Sequence, residues 1–167
     1  MNKRNIILIG MPGAGKSSVG VILAKVLGYE FIDTDLVIQH REKRLLREII
    51  ADEGNEGFLA IENEVNATLE ADKSVIAPGG SAIYGKEAME HFKEIGTIVY
   101  LKLSYEDLAK RLGNLKGRGV VLKEGQTLKD LYDERSKLYE QYAEITVDES
   151  GRDIQGTILA LREQIVM

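Results

Sequence analysis

An apolar run, Asn5-Ile6-Ile7-Leu8-Ile9, leads directly into Gly10-Met11-Pro12-Gly13-Ala14-Gly15-Lys16-Ser17 and then into a segment with apolar residues at helical spacing. A short, continuously apolar run reads as a strand buried on both faces, the kind found in parallel sheets covered by helices. Gly10, Gly13 and Gly15 between strand and helix allow successive backbone N–H groups to turn inward. The following helix adds the positive end of its dipole there. The chain therefore opens as strand, anion-binding loop and helix. The loop matches G-x-x-x-x-G-K-[ST], which places Lys16 to reach β- and γ-phosphates and gives Ser17 a hydroxyl for Mg2+.

The rest of the chain repeats this rhythm. Apolar, β-rich runs recur at 30–35, 74–79, 97–103 and 144–148. Val19, Ile22, Leu23 and Val26 form one helical stripe, Phe58, Ile61, Val65 and Leu69 a second, and Ile154, Ile158, Leu161 and Ile165 a third. Residues 39–53 read as an exposed amphipathic helix with Leu45, Leu46, Ile49 and Ile50 inward. Alternating strand and helix patterns predict an α/β fold, a three-layer, doubly wound, five-stranded parallel sheet. A length of 167 residues, 44% of them hydrophobic, suits one domain spanning 1–167.

Composition removes several functions. Without cysteine there is no disulfide framework, thiolate site or cysteine nucleophile. A net charge of −5 speaks against a broad nucleic-acid-binding face. The apolar run at the amino terminus is shorter than the roughly 7–15 residues of a secretion signal, and far from a membrane span. A cytoplasmic monomer is expected, bound to neither membrane nor nucleic acid. His40 and His91 read as solvated surface residues, and Tyr132, Tyr139 and Tyr142 as packing against the sheet edge. No histidine or carboxylate cluster suggests a protein-only metal site, so Mg2+ is expected to arrive with ATP.

The second apolar run closes as Phe31-Ile32-Asp33-Thr34-Asp35. Ligands of doubly wound sheets bind beyond the carboxyl ends of the strands. One acid can join a magnesium shell while the other orients or deprotonates an attacking hydroxyl. Aspartate serves equally to cap a following helix, and both readings stand at this point. The third run ends in Pro78-Gly79-Gly80 where a motor or transporter ATPase would carry an acid, and no N-K-x-D element of a GTPase is present. Residues 110–123, KRLGNLKGRGVVLK, break the rhythm with three glycines, five basic residues and no acid. Such a stretch reads either as a functional loop or as a solvated one.

Together these motifs resemble those of the shikimate kinase family, P-loop proteins of the nucleoside-monophosphate-kinase-like fold. GMPGAGKSS resembles the family's phosphate loop and FIDTD its paired-aspartate motif. DEGNEGFLAIE lies where the family has G-E-x-x-F-R-x-x-E, and PGGSA where it has three glycines. GRGVVL occupies the lid's R-P-L-L position, and RSKLYEQYAEITVD matches the closing R-x-x-L-Y-x-x-x-A. The resemblance implies a substrate-binding helical region at about 34–70, a lid at about 110–124, and transfer of the ATP γ-phosphate to the 3-hydroxyl of shikimate. On the nucleotide side it implies Gly13, Ala14, Gly15, Lys16, Ser17, Ser18, Arg111, Arg118 and Arg152, with Ser17 and, through water, Asp33 on Mg2+. For catalysis it implies Lys16, Asp35 and Arg118. For the acceptor it implies Asp35, Phe58, Leu59, Gly79, Gly80, Ser81 and Arg135, with Glu62 on the same helix as Phe58.

Three positions depart from the family pattern. Leu59 stands where a second carboxylate-binding arginine is expected, Ser81 replaces the third glycine, and Gly119 replaces the lid proline. Losing one of two arginines weakens carboxylate binding by about tenfold to a hundredfold unless another cation substitutes. Leu59 also leaves Glu62 without its usual partner, while Ser81 brings a hydroxyl able to bond a ligand. Two alternatives to shikimate phosphorylation follow: the same kinase chemistry on another hydroxylated metabolite, or a nucleotide-binding regulator without transfer. Gly119 predicts a lid that is disordered without nucleotide.

Overall fold

The computed structural model describes residues 4–113 and 125–165. Its core is a five-stranded sheet built from β1 (Asn5–Ile9), β2 (Glu30–Asp33), β3 (Ser74–Ala77), β4 (Gly96–Lys102) and β5 (Ile145–Asp148). The strand order is β2-β3-β1-β4-β5 and every pairing is parallel. Helices α1 (Lys16–Leu27), α2 (Thr34–Glu42), α3 (Leu46–Ala67), α4 (Lys86–Ile95), α5 (Tyr105–Gly113), α6 (Leu128–Tyr142) and α7 (Ile154–Gln164) connect and cover it. Among the described residues, no helix is long and apolar enough to cross a membrane.

Central strand β1 shows why its run is continuously apolar. Ile7 and Ile9 join Ile76, Phe92, Ile98, Tyr100 and Tyr139 on one face of the sheet. Ile6 and Leu8 join Val19, Leu23, Val75, Val99 and Leu161 on the other. Adjacent side chains on a strand point to opposite faces, so two helical layers demand apolar residues at every position. A third cluster, Ile38, Ile49, Phe58 and Val65, lies between α2 and α3.

Several sequence expectations shift. In α1 the buried face is Val19, Gly20, Leu23 and Ala24, whereas Ile22 and Val26 are 39% and 46% exposed. Gly20 accounts for this: a Cβ there would lie 2.5 Å from Phe31, so the helix packs through its smallest residue. In α7, Ile158 and Leu161 are buried but Ile154 is exposed. The expected helix over 39–53 is two helices, because Lys43 takes a left-handed conformation that ends α2; Ile49 turns inward, and Leu45 is exposed. Helix α3 is itself interrupted at Gly54, with φ 74° and ψ 177°, a conformation that L side chains rarely adopt.

Candidate functional site

The phosphate loop runs from the end of β1 to the start of α1, in the middle of the sheet. Ala14 N donates to Met11 O at 3.0 Å, folding the loop on itself. Lys16 is buried, and its ammonium donates to Gly10 O and Met11 O, each at 2.9 Å. Those bonds hold the charge inside the loop, at the mouth of a cavity of about 610 Å3. Pro12, Gly13, Gly15, Lys16, Ser17 and Ser18 form one wall of that cavity.

The two aspartates divide between the readings left open by the sequence. Asp33 ends β2 and caps α2, its Oδ1 accepting from Asp35 N at 2.9 Å. Asp35 therefore stands in the first turn of α2, not on the strand, and both carboxylates reach the cavity. Burial, reinforced by the Asp33 carboxylate, pushes Asp35 up to about 6, against the opposing pull of Lys16.

The cavity floor is built around Gly79 and Gly80. A Cβ on Gly79 would sit 2.9 Å from Asp35 Oδ1 and 3.0 Å from Glu62 Oε2. A Cβ on Gly80 would sit 2.7 Å from Pro12 Cδ and 3.0 Å from Arg135 Nη1. A side chain at either glycine would crowd the point where these four elements meet. Arg135 is 1% exposed, with its guanidinium 5.5 Å from the Tyr84 ring centroid. Tyr139 donates its hydroxyl to Gly80 O at 2.7 Å and stacks 5.1 Å from Tyr100. Tyr139 thus holds the glycine turn as well as packing on the sheet.

Glu62 is 1% exposed, and burial pushes it up to about 8 despite the Ser81 hydrogen bond and the field of Arg135. Ser81 Oγ donates to Glu62 Oε1 at 2.7 Å, while Oε2 has no hydrogen-bond partner. The extra hydroxyl at position 81 therefore donates to Glu62, the residue that Leu59 leaves without a partner. A carboxyl group bound more tightly by its proton in the folded state stabilises the fold most below pH 4.5. For Glu62 that stability is lost as pH rises from 4.5 to about 8. Asp35, and Glu149 pushed up to about 7 mainly by burial, act in the same direction. The melting temperature of the free protein is expected to fall over this range, and Glu62→Gln to flatten the fall. Parallel curves for wild type and variant would refute this origin.

Most of the site residues expected from sequence come together. Gly13, Gly15, Lys16, Ser17, Ser18, Asp33, Asp35, Phe58, Gly79, Gly80, Ser81 and Arg135 all line the cavity. Leu59 does not: its apolar side chain packs with the cluster of Ile38, Ile49, Phe58 and Val65. Ala14 is buried within the loop. Arg111 stays beside the loop, donating from Nη1 to Gly13 O at 3.0 Å, and Arg152 is exposed beyond β5. Arg118, Gly119 and the expected lid lie outside the described residues. His91 is half-buried, with Nε2 2.6 Å from Leu69 O, so it is not the free surface residue expected.

Reading the sequence missed Leu46, Arg47, Ile50 and Asn55, which complete the cavity wall. It also missed Glu149, which is 5% exposed, and its carboxyl group feels the cations Arg111 and Lys16. A carboxylate immediately after the parallel edge strand β5 was the available signal for Glu149. Nothing in the pattern distinguished Arg47 from its exposed neighbours.

A parallel sheet with a phosphate loop after its central strand, and a carboxylate facing that loop across a shared pocket, defines a P-loop phosphotransferase. Comparison with known proteins narrows the class. The profile of the shikimate kinase family matches residues 12–166. A shikimate kinase of Vibrio cholerae is 36% identical over 99% of this chain and 98% of its own length. Shikimate kinase 2 of Yersinia enterocolitica is 34% identical, covering 87% of this chain and 86% of its own. The structure of Acinetobacter baumannii shikimate kinase in complex with shikimate superposes with a TM-score of 0.83 at 31% identity, over 97% and 95% of the two chains. The chain belongs to the shikimate kinase family, and with it to the ATP-dependent kinases that phosphorylate a hydroxyl group.

Proposed function

We propose that this protein transfers the γ-phosphate of ATP to the 3-hydroxyl of shikimate, as a cytoplasmic monomer. The observation that carries the reading is the meeting, in one cavity, of a phosphate loop, a raised carboxylate and a buried arginine. Backbone N–H groups of Gly13 to Ser18 and the Lys16 ammonium hold the phosphates, with Arg111 and Arg152 flanking the nucleotide. The Ser17 hydroxyl and Asp33 carboxylate are hard oxygen donors lining the same cavity, which suits Mg2+. An Mg2+ ion held there would help to neutralise the charge of the phosphates.

Asp35 orients the acceptor hydroxyl and accepts its proton as the phosphoryl group departs. A base poised near neutrality combines an ionised resting state with a real driving force for proton transfer. Arg135 holds the acceptor's carboxylate from beneath the glycine turn, while Phe58, Gly79, Gly80 and Ser81 shape the pocket around its ring. Glu62, neutral near pH 7, adds no anion that would repel that carboxylate.

A test couples ADP release to shikimate and to a panel of hydroxylated carboxylic acids and polyols. Shikimate is expected to give saturable, Mg2+-dependent turnover with a KM between micromolar and low millimolar. One observation favours a different acceptor, namely that position 59 contributes no cation to the cavity. Turnover with another panel member but none with shikimate would establish that reading instead. ATP binding without turnover on any acceptor would leave only a nucleotide-binding regulator.

A further inference from the structure

Ionisable side chains border the cavity: the carboxyl groups of Asp33, Asp35 and Glu62, with the cations Lys16, Arg47 and Arg135. Two of the three cations are built into the protein. Lys16 bonds the carbonyls of its own loop, and Arg135 is sealed between Tyr84 and the glycine turn. Arg47 differs. It is exposed, yet it lines the cavity from the first turns of α3. Acids close to it in sequence, Glu42, Asp52 and Glu53, pair instead with Arg44 at 3.0–3.2 Å. Glu48 is engaged too, accepting from Leu45 N at 3.0 Å to close the helix terminus. Arg47 makes no ion pair or hydrogen bond with any described residue.

The interruption at Gly54 supplies the placement. Residues before it, Leu46, Arg47 and Ile50, line the same cavity as Phe58 and Glu62 after it. A guanidinium at the cavity wall that makes no ion pair with a described residue is available to a ligand anion. Its planar fork matches a carboxylate in two parallel hydrogen bonds. Leu59, meanwhile, is withdrawn into the apolar cluster between α2 and α3.

We propose that Arg47 binds the acceptor's carboxylate, supplying from the first half of α3 the cation that position 59 lacks. This rests on the acceptor assigned above, and makes Arg47 a specificity residue, separate from the transfer step. The test compares wild type, Arg47→Ala and Arg47→Lys with shikimate and ATP varied in turn, then repeats it with shikimate carboxamide, which has the ring but no anion. Arg47→Ala is expected to raise the KM for shikimate about 10- to 100-fold, with kcat and the KM for ATP changed by less than about threefold. Lysine at this position is expected to fall between the two. With the carboxamide, wild type and Arg47→Ala are expected to perform alike. An unchanged KM for shikimate overturns the proposal, as does an equal loss with the carboxamide. A raised KM for ATP also overturns it, and would place Arg47 on the nucleotide. Because Arg47 is exposed, its variants are expected to melt with wild type. Absence of wild-type turnover with shikimate is a different failure, that of the acceptor assignment itself.

Discussion

Asp35→Asn is expected to lower kcat for phosphoryl transfer about 10^2- to 10^4-fold, the usual contribution of a positioned general base. Asparagine keeps the size and a hydrogen bond but cannot take the acceptor's proton. The cap on α2 survives, since Asp33 makes it through the Asp35 backbone N–H. The fold should therefore persist, and ATP binding with it. The wild-type rate is expected to rise with pH through about 6, the value to which burial and Asp33 raise Asp35. The residual rate of the variant is expected to lose that limb. Stopped-assay kinetics across pH 5 to 9, with ATP affinity measured in parallel, would check both. A variant within about threefold of wild type, or one keeping the acidic limb, would remove Asp35 from the role of base.

How much of this was legible in the sequence depends on whether the deciding contact was local. Strand β1 was readable because burial on both faces requires an unbroken apolar run, and Ile6 to Ile9 supply it. The phosphate loop was readable because its geometry is set within eight residues. Helix faces were less so. Ile22 and Val26 fit the apolar period of α1, yet Gly20 draws that helix onto Phe31 and turns them outward. Packing against a distant strand overrode the local pattern; Leu45 is exposed for a local reason, the break at Lys43 that leaves it at the N-cap of α3.

The acceptor side shows the same limit more sharply. Position 59 and position 81 are 22 residues apart, and each looked like a separate loss. In the fold they answer each other: Leu59 leaves the cavity for the α2–α3 cluster, and Ser81 takes over the hydrogen bond to Glu62. A lone buried carboxyl group would hold its proton at a high cost in unmet hydrogen bonds, and the serine removes part of that cost. Tyr139 carried a comparable hidden role, since its bond to Gly80 O spans 59 residues. Such pairings arise from the crossing of four elements at the carboxyl edge of the sheet, which no single-chain periodicity records.

Arg135 is where that crossing can be tested hardest. Among the described residues it is one of the largest fully buried side chains, and it lies against the glycine turn and Tyr84, close enough to Glu62 to influence it. Two substitutions separate its packing from its charge. Arg135→Ala removes both, and is expected to cost about 2–4 kcal/mol of stability through the cavity it leaves, together with nearly all activity. Arg135→Met fills most of the space with an uncharged chain and is expected to recover much of that stability. Activity should not recover with it: the KM for shikimate is expected to rise about 100-fold or more, with the KM for ATP within about threefold. Arg135 also holds the Glu62 carboxyl group down against burial, so its removal pushes Glu62 higher still. The sign follows directly, in that the loss of stability with rising pH will extend to higher pH in Arg135→Met than in wild type. Shikimate kinetics and melting curves across pH 5 to 9 give both readouts. If Arg135→Met keeps a wild-type KM for shikimate, the buried arginine is a packing residue only, and the acceptor's carboxylate lies elsewhere in the cavity.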